Sequence, residues 1–150
     1  GSLRAKSGNL KIDKDGGVVG NIAIDMQSIL VEDLKGRSKE VLESHLKSDD
    51  FFDVKNHQRA KLEIISSENI GGNEFLFKGN LTIKEKTNFV QMKGSVQKLN
   101  SGYSADINLV FDRSKYDVKY RSAAFFSDLG DRIISDDVFL NVKIKLNKTI

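Results

Sequence analysis

At 150 residues, with 39% hydrophobic residues and a formal net charge of +3 from 24 Lys and Arg against 21 Asp and Glu, the chain has the size and balance of one domain with its own core. The basic residues are scattered rather than gathered into a patch, which argues against a nucleic-acid partner. No apolar run reaches the roughly 20 residues of a membrane-spanning helix, and the absence of cysteine excludes disulfides and thiolate metal sites.

Glycines beside Asn or Asp cut the chain into short alternating segments. Leu10 to Asp13 alternates and stops at Asp15-Gly16-Gly17, a tight-turn signal. Alternation resumes from Val18 to Ile29, with Ile22, Ile24 and Met26 on one face and Ala23, Asp25 and Gln27 on the other. Gly36-Arg37-Ser38 breaks this pattern. Ser38 reads as an N-cap with Glu40 in the first turn, and Val41, Leu42, His45 and Leu46 follow helical spacing, so a helix is expected over about 38–48. Its apolar stripe is narrow, which suits a helix lying on a sheet or over a barrel end. Asp49-Asp50 turns the chain into Phe51-Phe52.

The next alternating set is Ala60, Leu62 and Ile64. After a turn at Gly71-Gly72-Asn73 come Phe75, Phe77, Gly79, Leu81 and Ile83. A charged turn at Lys84-Glu85-Lys86 leads to Val90, Met92, Gly94 and Val96. A turn at Asn100-Ser101-Gly102 leads to Tyr103, Ala105, Ile107, Leu109 and Phe111. A second break follows, in which Ser122 can cap a short helical turn over about 122–129 that ends at Gly130. The last strand carries Val138, Leu140, Val142, Ile144 and Leu146 on one face.

Seven to eight strands with tight turns describe a mainly β protein, an antiparallel barrel or sandwich. Strands of about 10 residues, at roughly 3.3 Å each, reach some 30 Å. The inward set mixes Phe75, Phe77 and Phe111 with Ala60, Gly79, Gly94 and Ala105. Such a mixture either packs as a taper or leaves a slot for a ligand.

Ser44-His45-Leu46 through Phe51-Phe52-Asp53-Val54 resembles the H-L-x-S-x-x-F-F-D-V signature of the YceI-like family. Gly79-Asn80-Leu81-Thr82-Ile83 is similar to its G-x-L-T-I strand, and Arg113-Ser114-Lys115-Tyr116 to its R-x-x-Y/F-G-V/I turn. Phe125 through Asp131, with Asp136-Asp137, resembles a form common in Bacteroidetes-type members. The chain departs from the pattern in lacking the family's Trp-bearing N-terminal strand, and in having Lys86 and Asp117 where Gly is usual. The resemblance implies a lipocalin-like barrel that binds a polyisoprenoid or similar long-chain lipid without catalysis, in the bacterial periplasm or secreted. A barrel open at one seam raises the expectation either of a further segment of the chain outside these residues or of a homodimer that shares strands.

A lipid tail needs apolar walls and little else. The candidate ligand-binding residues are Ile22, Ile24 and Met26, Leu62 and Ile64, Phe75, Phe77 and Leu81, Met92, and Ile107, Leu109 and Phe111. Each of them is equally suited to plain core. His45, Phe51, Phe52 and Phe125 are candidates for the barrel mouth. In each double aromatic, one ring is expected to plug the core and the other to cover the rim. The Asp clusters at 49–53 and 128–137 lack the ligand ladder of a calcium loop, so no metal and no cofactor is expected beyond a bound lipid. No hydrolase, metalloprotease or P-loop motif is present, which argues against an enzyme. The alternative function is a stress-response or protein-interaction barrel with a packed interior and no ligand.

Overall fold

A computed structural model describes residues 1–12, 14 and 17–147. Seven strands follow one another, each paired antiparallel to its chain neighbour: β1 (Ser2–Ile12), β2 (Val18–Leu30), β3 (Arg59–Gly71), β4 (Glu74–Ile83), β5 (Lys86–Leu99), β6 (Gly102–Asp112) and β7 (Asp137–Asn147). The helix α1 (Gly36–Lys47) sits between β2 and β3, and 3₁₀ turns span Arg113–Tyr116 and Gly130–Arg132. The sheet coils into a nearly closed barrel, so the inward residues of β2 to β6 meet in one buried cluster. Among the described residues β1 and β7 are its two edges and do not pair with each other.

The period-2 pattern translates directly into burial. Phe75, Phe77, Gly79, Leu81 and Ile83 are buried along β4, and the residues between them are half-buried. Val90, Met92, Gly94 and Val96 do the same on β5, as do Ala105, Ile107, Leu109 and Phe111 on β6. Each fully buried Leu, Ile, Phe or Met contributes roughly 1.5–3 kcal/mol, so this face dominates the stability of the fold.

The small inward residues do not leave a slot. A Cβ at Gly79 would run into the Glu63 carbonyl oxygen, and one at Gly94 would run into the Asp106 carbonyl and lie 2.7 Å from the Ile107 Cα. The space that a side chain would occupy is taken by the backbone of the neighbouring strand. Glycine at these points lets the sheet coil tightly.

Local signals were met in part. Gly72 adopts φ 54° in the β3–β4 turn, and Lys84 and Glu85 take φ 50° and 64° in the two-residue β4–β5 turn, a primed turn made without glycine. Asp15 and Gly16 of the first expected turn lie outside the described residues. The helix begins earlier than expected: Lys35 is its N-cap and makes no side-chain cap bond, so Ser38 falls inside the first turn. The end near Ser48 holds, where the Ser48 amide and hydroxyl both donate to the His45 carbonyl. Residues 122–129 form a turn and not a helix. The Ser122 carbonyl accepts from the Phe125 and Phe126 amides, and its hydroxyl accepts from the Ala124 amide. The helical geometry lies on either side of it, at Arg113–Tyr116 and Gly130–Arg132.

Because backbone already fills the site, Gly94→Ala is expected to overpack it and cost about 1–3 kcal/mol, read as a lower urea midpoint. An Ala at exposed Gly72 meets no steric neighbour and bears only the backbone strain of its positive φ. A Gly94→Ala variant as stable as the parent would contradict the close strand approach.

Candidate functional site

The barrel centre is filled. Phe77 and Ile107 have no accessible surface, and Leu62, Leu81 and Met92 have 1% each. A side chain lining an open lumen would border space large enough for water, whereas these border other side chains. Ile22, Met26, Ile64, Phe75, Leu109 and Phe111 belong to the same buried cluster, and Ile24 packs partly buried against it. The structure thus brings the inward candidates together as a packed core.

Among the inward rows of the described strands, those of β1 and β7 along the seam stay partly accessible. Val138, Leu140, Val142 and Ile144 of β7 and Leu10 and Ile12 of β1 pack against the core but are only half-buried. On the strands opposite, the equivalent inward positions are sealed. The reason is topological: an inward residue on β3, β4 or β5 has a strand on each side, while one on β1 or β7 has a strand on one side only. From Ser2 to Asn9, β1 is exposed along its whole length. The seam was not singled out from sequence as a site. The Val138-to-Leu146 alternation was visible, but alternation alone does not reveal that a strand is an edge.

One end of the barrel is closed by a plug built on Arg113, which is 2% exposed. Its Nε donates to the Ser135 carbonyl at 2.9 Å, its Nη1 to Val118 at 2.9 Å and its Nη2 to Ile134 at 3.0 Å. The Asp136 carboxylate lies 3.6 Å from Nη2. Burial pulls the guanidinium pKa down from its ordinary value, and the charges of Asp136 and Asp112 oppose that. The Phe51 ring lies under the guanidinium at 5.7 Å, a cation–π distance. Tyr116 is buried behind it, edge-on to Phe111, and burial raises its phenol pKa, partly offset by Asn88. The three carbonyl contacts of Arg113 are not legible in the sequence. The R-x-x-Y spacing was the available signal.

The first double aromatic divides as expected, with Phe51 buried and Phe52 half-buried. The second does not. Phe125 and Phe126 are 47% and 50% exposed, and Phe125 lies beneath the Lys119 ammonium at 4.9 Å. Ser122, fully buried, takes the inward place in that turn, which leaves both rings outside.

His45 sits at the plug end and is half-buried. Its Nε2 lies 3.0 Å from Asp50 Oδ2, and its ring stands edge-on to Phe51 and Tyr120 at 4.9 and 4.6 Å. It borders two shallow open depressions of ≈ 510 and ≈ 500 Å³ against α1, which share Arg37 and Val41. Among the described residues no His, Asp and Glu side chains converge closely enough to hold a metal ion, and no helix is long and apolar enough to cross a membrane.

The YceI-like domain family matches residues 1–146, and the chain belongs to it. BcnA of Burkholderia cenocepacia shares the fold, with a TM-score of 0.72 at 22% identity over 91% of this chain and 80% of that one. A Campylobacter jejuni YceI protein, known from crystals with large solvent channels, superposes with a TM-score of 0.71 at 19% identity, over 99% of this chain and 85% of its own. No curated protein sequence matches the chain.

Replacing Arg113 by Lys leaves at least one of the three carbonyls, of which that of Val118 is buried, without its present donor. The expected loss is about 2–4 kcal/mol, read by chemical denaturation, with β-sheet circular dichroism retained. Arg132→Lys, an exposed change, is expected to stay within about 0.5 kcal/mol of the parent.

Proposed function

We propose that this YceI-like chain is a non-catalytic binding protein for the apolar tail of a polyisoprenoid or similar long-chain amphipathic lipid. The tail lies along the seam, against Val138, Leu140, Val142 and Ile144. The observation that carries this reading is the half-buried apolar row on β7 beside an otherwise sealed core. Covering such a row with an aliphatic chain stabilises by roughly 0.8 kcal/mol per CH₂ buried, less the cost of ordering the chain. Of the residues first considered for binding, Ile24 is the inward candidate that is only partly buried. Phe77, Leu81, Met92 and Ile107 form the floor behind it and shape the groove without touching the tail.

The plug end is the natural place for the headgroup. Ser2 of β1 pairs with Leu30 at the end of β2 that leads into α1, and β7 starts at Asp137 beside the Arg113 plug. A headgroup leaving the seam there lies on the side of the barrel that carries His45. A bacterial export compartment, periplasmic or extracellular, fits a carrier of this kind. The filled centre favours one alternative, a protein-interaction barrel that takes no ligand.

Organic extraction of the purified protein followed by mass spectrometry is expected to release a long-chain lipid, and native mass spectrometry to show one-to-one uptake of a polyprenyl phosphate. Leu140→Glu places a carboxylate in the half-buried row and is expected to weaken uptake at least tenfold, with the fold intact by circular dichroism. A protein that is empty on extraction, and that also refuses the polyprenyl probe, leaves the ligand-free barrel as the correct reading.

A further inference from the structure

We propose that the plug end of the barrel is also a membrane-docking tip. Phe125, Phe126 and Ile133 enter the interface of an anionic phospholipid bilayer, and the cations of the β4–β5 turn and of the 115–121 segment face its phosphates. The inference rests on the lipid-binding reading for its purpose: a long-chain lipid resides in bilayers, and a protein that binds its tail has to meet one.

The rings are held outward by the backbone. Ser122, fully buried, accepts from the amides of Ala124, Phe125 and Phe126, and this turn leaves both rings about half exposed. The loop is closed at its base, where the Ile134 amide donates to the Arg121 carbonyl at 2.9 Å. Arg132 braces its far side: Nη2 donates to the Asp128 carbonyl at 3.1 Å and Nε to that of Leu129 at 3.3 Å. Ile133, 51% exposed, stands beside the closed base. One short loop with a fixed backbone thus presents three large apolar side chains to water. Such a tip gains by meeting apolar matter.

Charge says what that matter is. The Lys119 ammonium lies 4.9 Å over the Phe125 ring and 2.9 Å from the Asp117 carboxylate. The Lys84 ammonium donates to the Asp117 carbonyl at 3.0 Å. A hydrogen bond from Lys119, with the charges of Lys119, Lys84 and Lys86, holds the Asp117 carboxyl below its ordinary pKa against the effect of burial. Exposed Lys115 and Arg121 flank this group, and the Arg121 guanidinium lies 5.2 Å over the Tyr120 ring. Lys84, Lys86, Lys115, Lys119 and Arg121 therefore stand against the carboxylates of Asp117 and Glu85 alone, in direct continuity with the exposed rings.

The other carboxylates of this end are placed differently. Asp112 is engaged by Ser114, and Asp136 faces Arg113. Asp128 and Asp131 follow the rings in the loop, together with Arg132, and Asp50 lies on the α1 side, beside His45. The positive side of the tip is the one that carries the β4–β5 turn, and it sets the tilt of the docked barrel. Aromatic rings at the acyl boundary, with Lys and Arg reaching back to the phosphates, are the pairing that an anionic leaflet retains.

The chain has no tryptophan, so Phe126→Trp supplies a single reporter. The probe is a vesicle of phosphatidylcholine and phosphatidylglycerol, free of polyprenyl lipid. The Phe126→Trp protein is expected to co-sediment with it, and its emission to shift to the blue. Binding to phosphatidylcholine alone should be about tenfold weaker, and added salt should release the protein. Phe139→Trp, at a position 76% exposed on the barrel wall, is expected to show no shift. Lys86→Glu with Lys119→Glu, both exposed, is expected to weaken binding about tenfold with β-sheet circular dichroism retained, and Phe125→Ser with Phe126→Ser to abolish the apolar part. No co-sedimentation, equal binding to both vesicles, or an equal shift in Phe139→Trp overturns the proposal. So does a full-length chain from the natural gene in which the Phe126→Trp emission is already blue without vesicles, since the tip is then covered by the protein itself. Polyprenyl phosphate uptake is read in solution without vesicles, so failure of docking and failure of lipid binding are separate results.

Discussion

The plug end of the barrel depends on one buried guanidinium. Arg113 leaves the end of β6 and donates to three carbonyls, two of which, from Ile134 and Ser135, stand just before β7. The segment from Asp117 to Asp136 has little regular structure of its own, and its backbone acceptors are collected at this one side chain. The same guanidinium sits on Phe51, and the Lys84 ammonium donates to the carbonyls of Phe51 and Asp117. The loop after α1, the β4–β5 turn and the β6–β7 crossing are thereby tied at one point. A planar group with five donors can do this, and an ammonium cannot. Burying it uncompensated would be costly, so each carbonyl it meets is part of its solvation.

Above the plug, the barrel is shaped by where backbones approach most closely. Gly79 and Gly94 let β3 and β6 fold over β4 and β5, and the resulting coil brings the inward rings and aliphatic chains into contact. A tightly coiled sheet of seven strands has a small interior, and here side chains fill it. Among the described strands, the inward row left partly accessible is the one that lacks a neighbouring strand.

The sequence made the strands legible because the period of two is strict from Phe75 to Phe111 and each wrong-face residue would be expensive. Helix α1 was legible in existence and end but not in start, since no side-chain cap marks Gly36. The segment after Ser122 suggests helix in the sequence because Ser122 fits an N-cap and Gly130 an end. The structure leaves Phe125 outside because Ser122 takes the buried place and accepts from the Ala124, Phe125 and Phe126 amides. The glycines on inward faces were visible as small residues, but whether a small residue means a void or a crossing backbone is decided by the neighbouring strand. An open seam was expected from the resemblance, but which apolar rows flank it was not legible, because pairing partners are a property of the whole sheet.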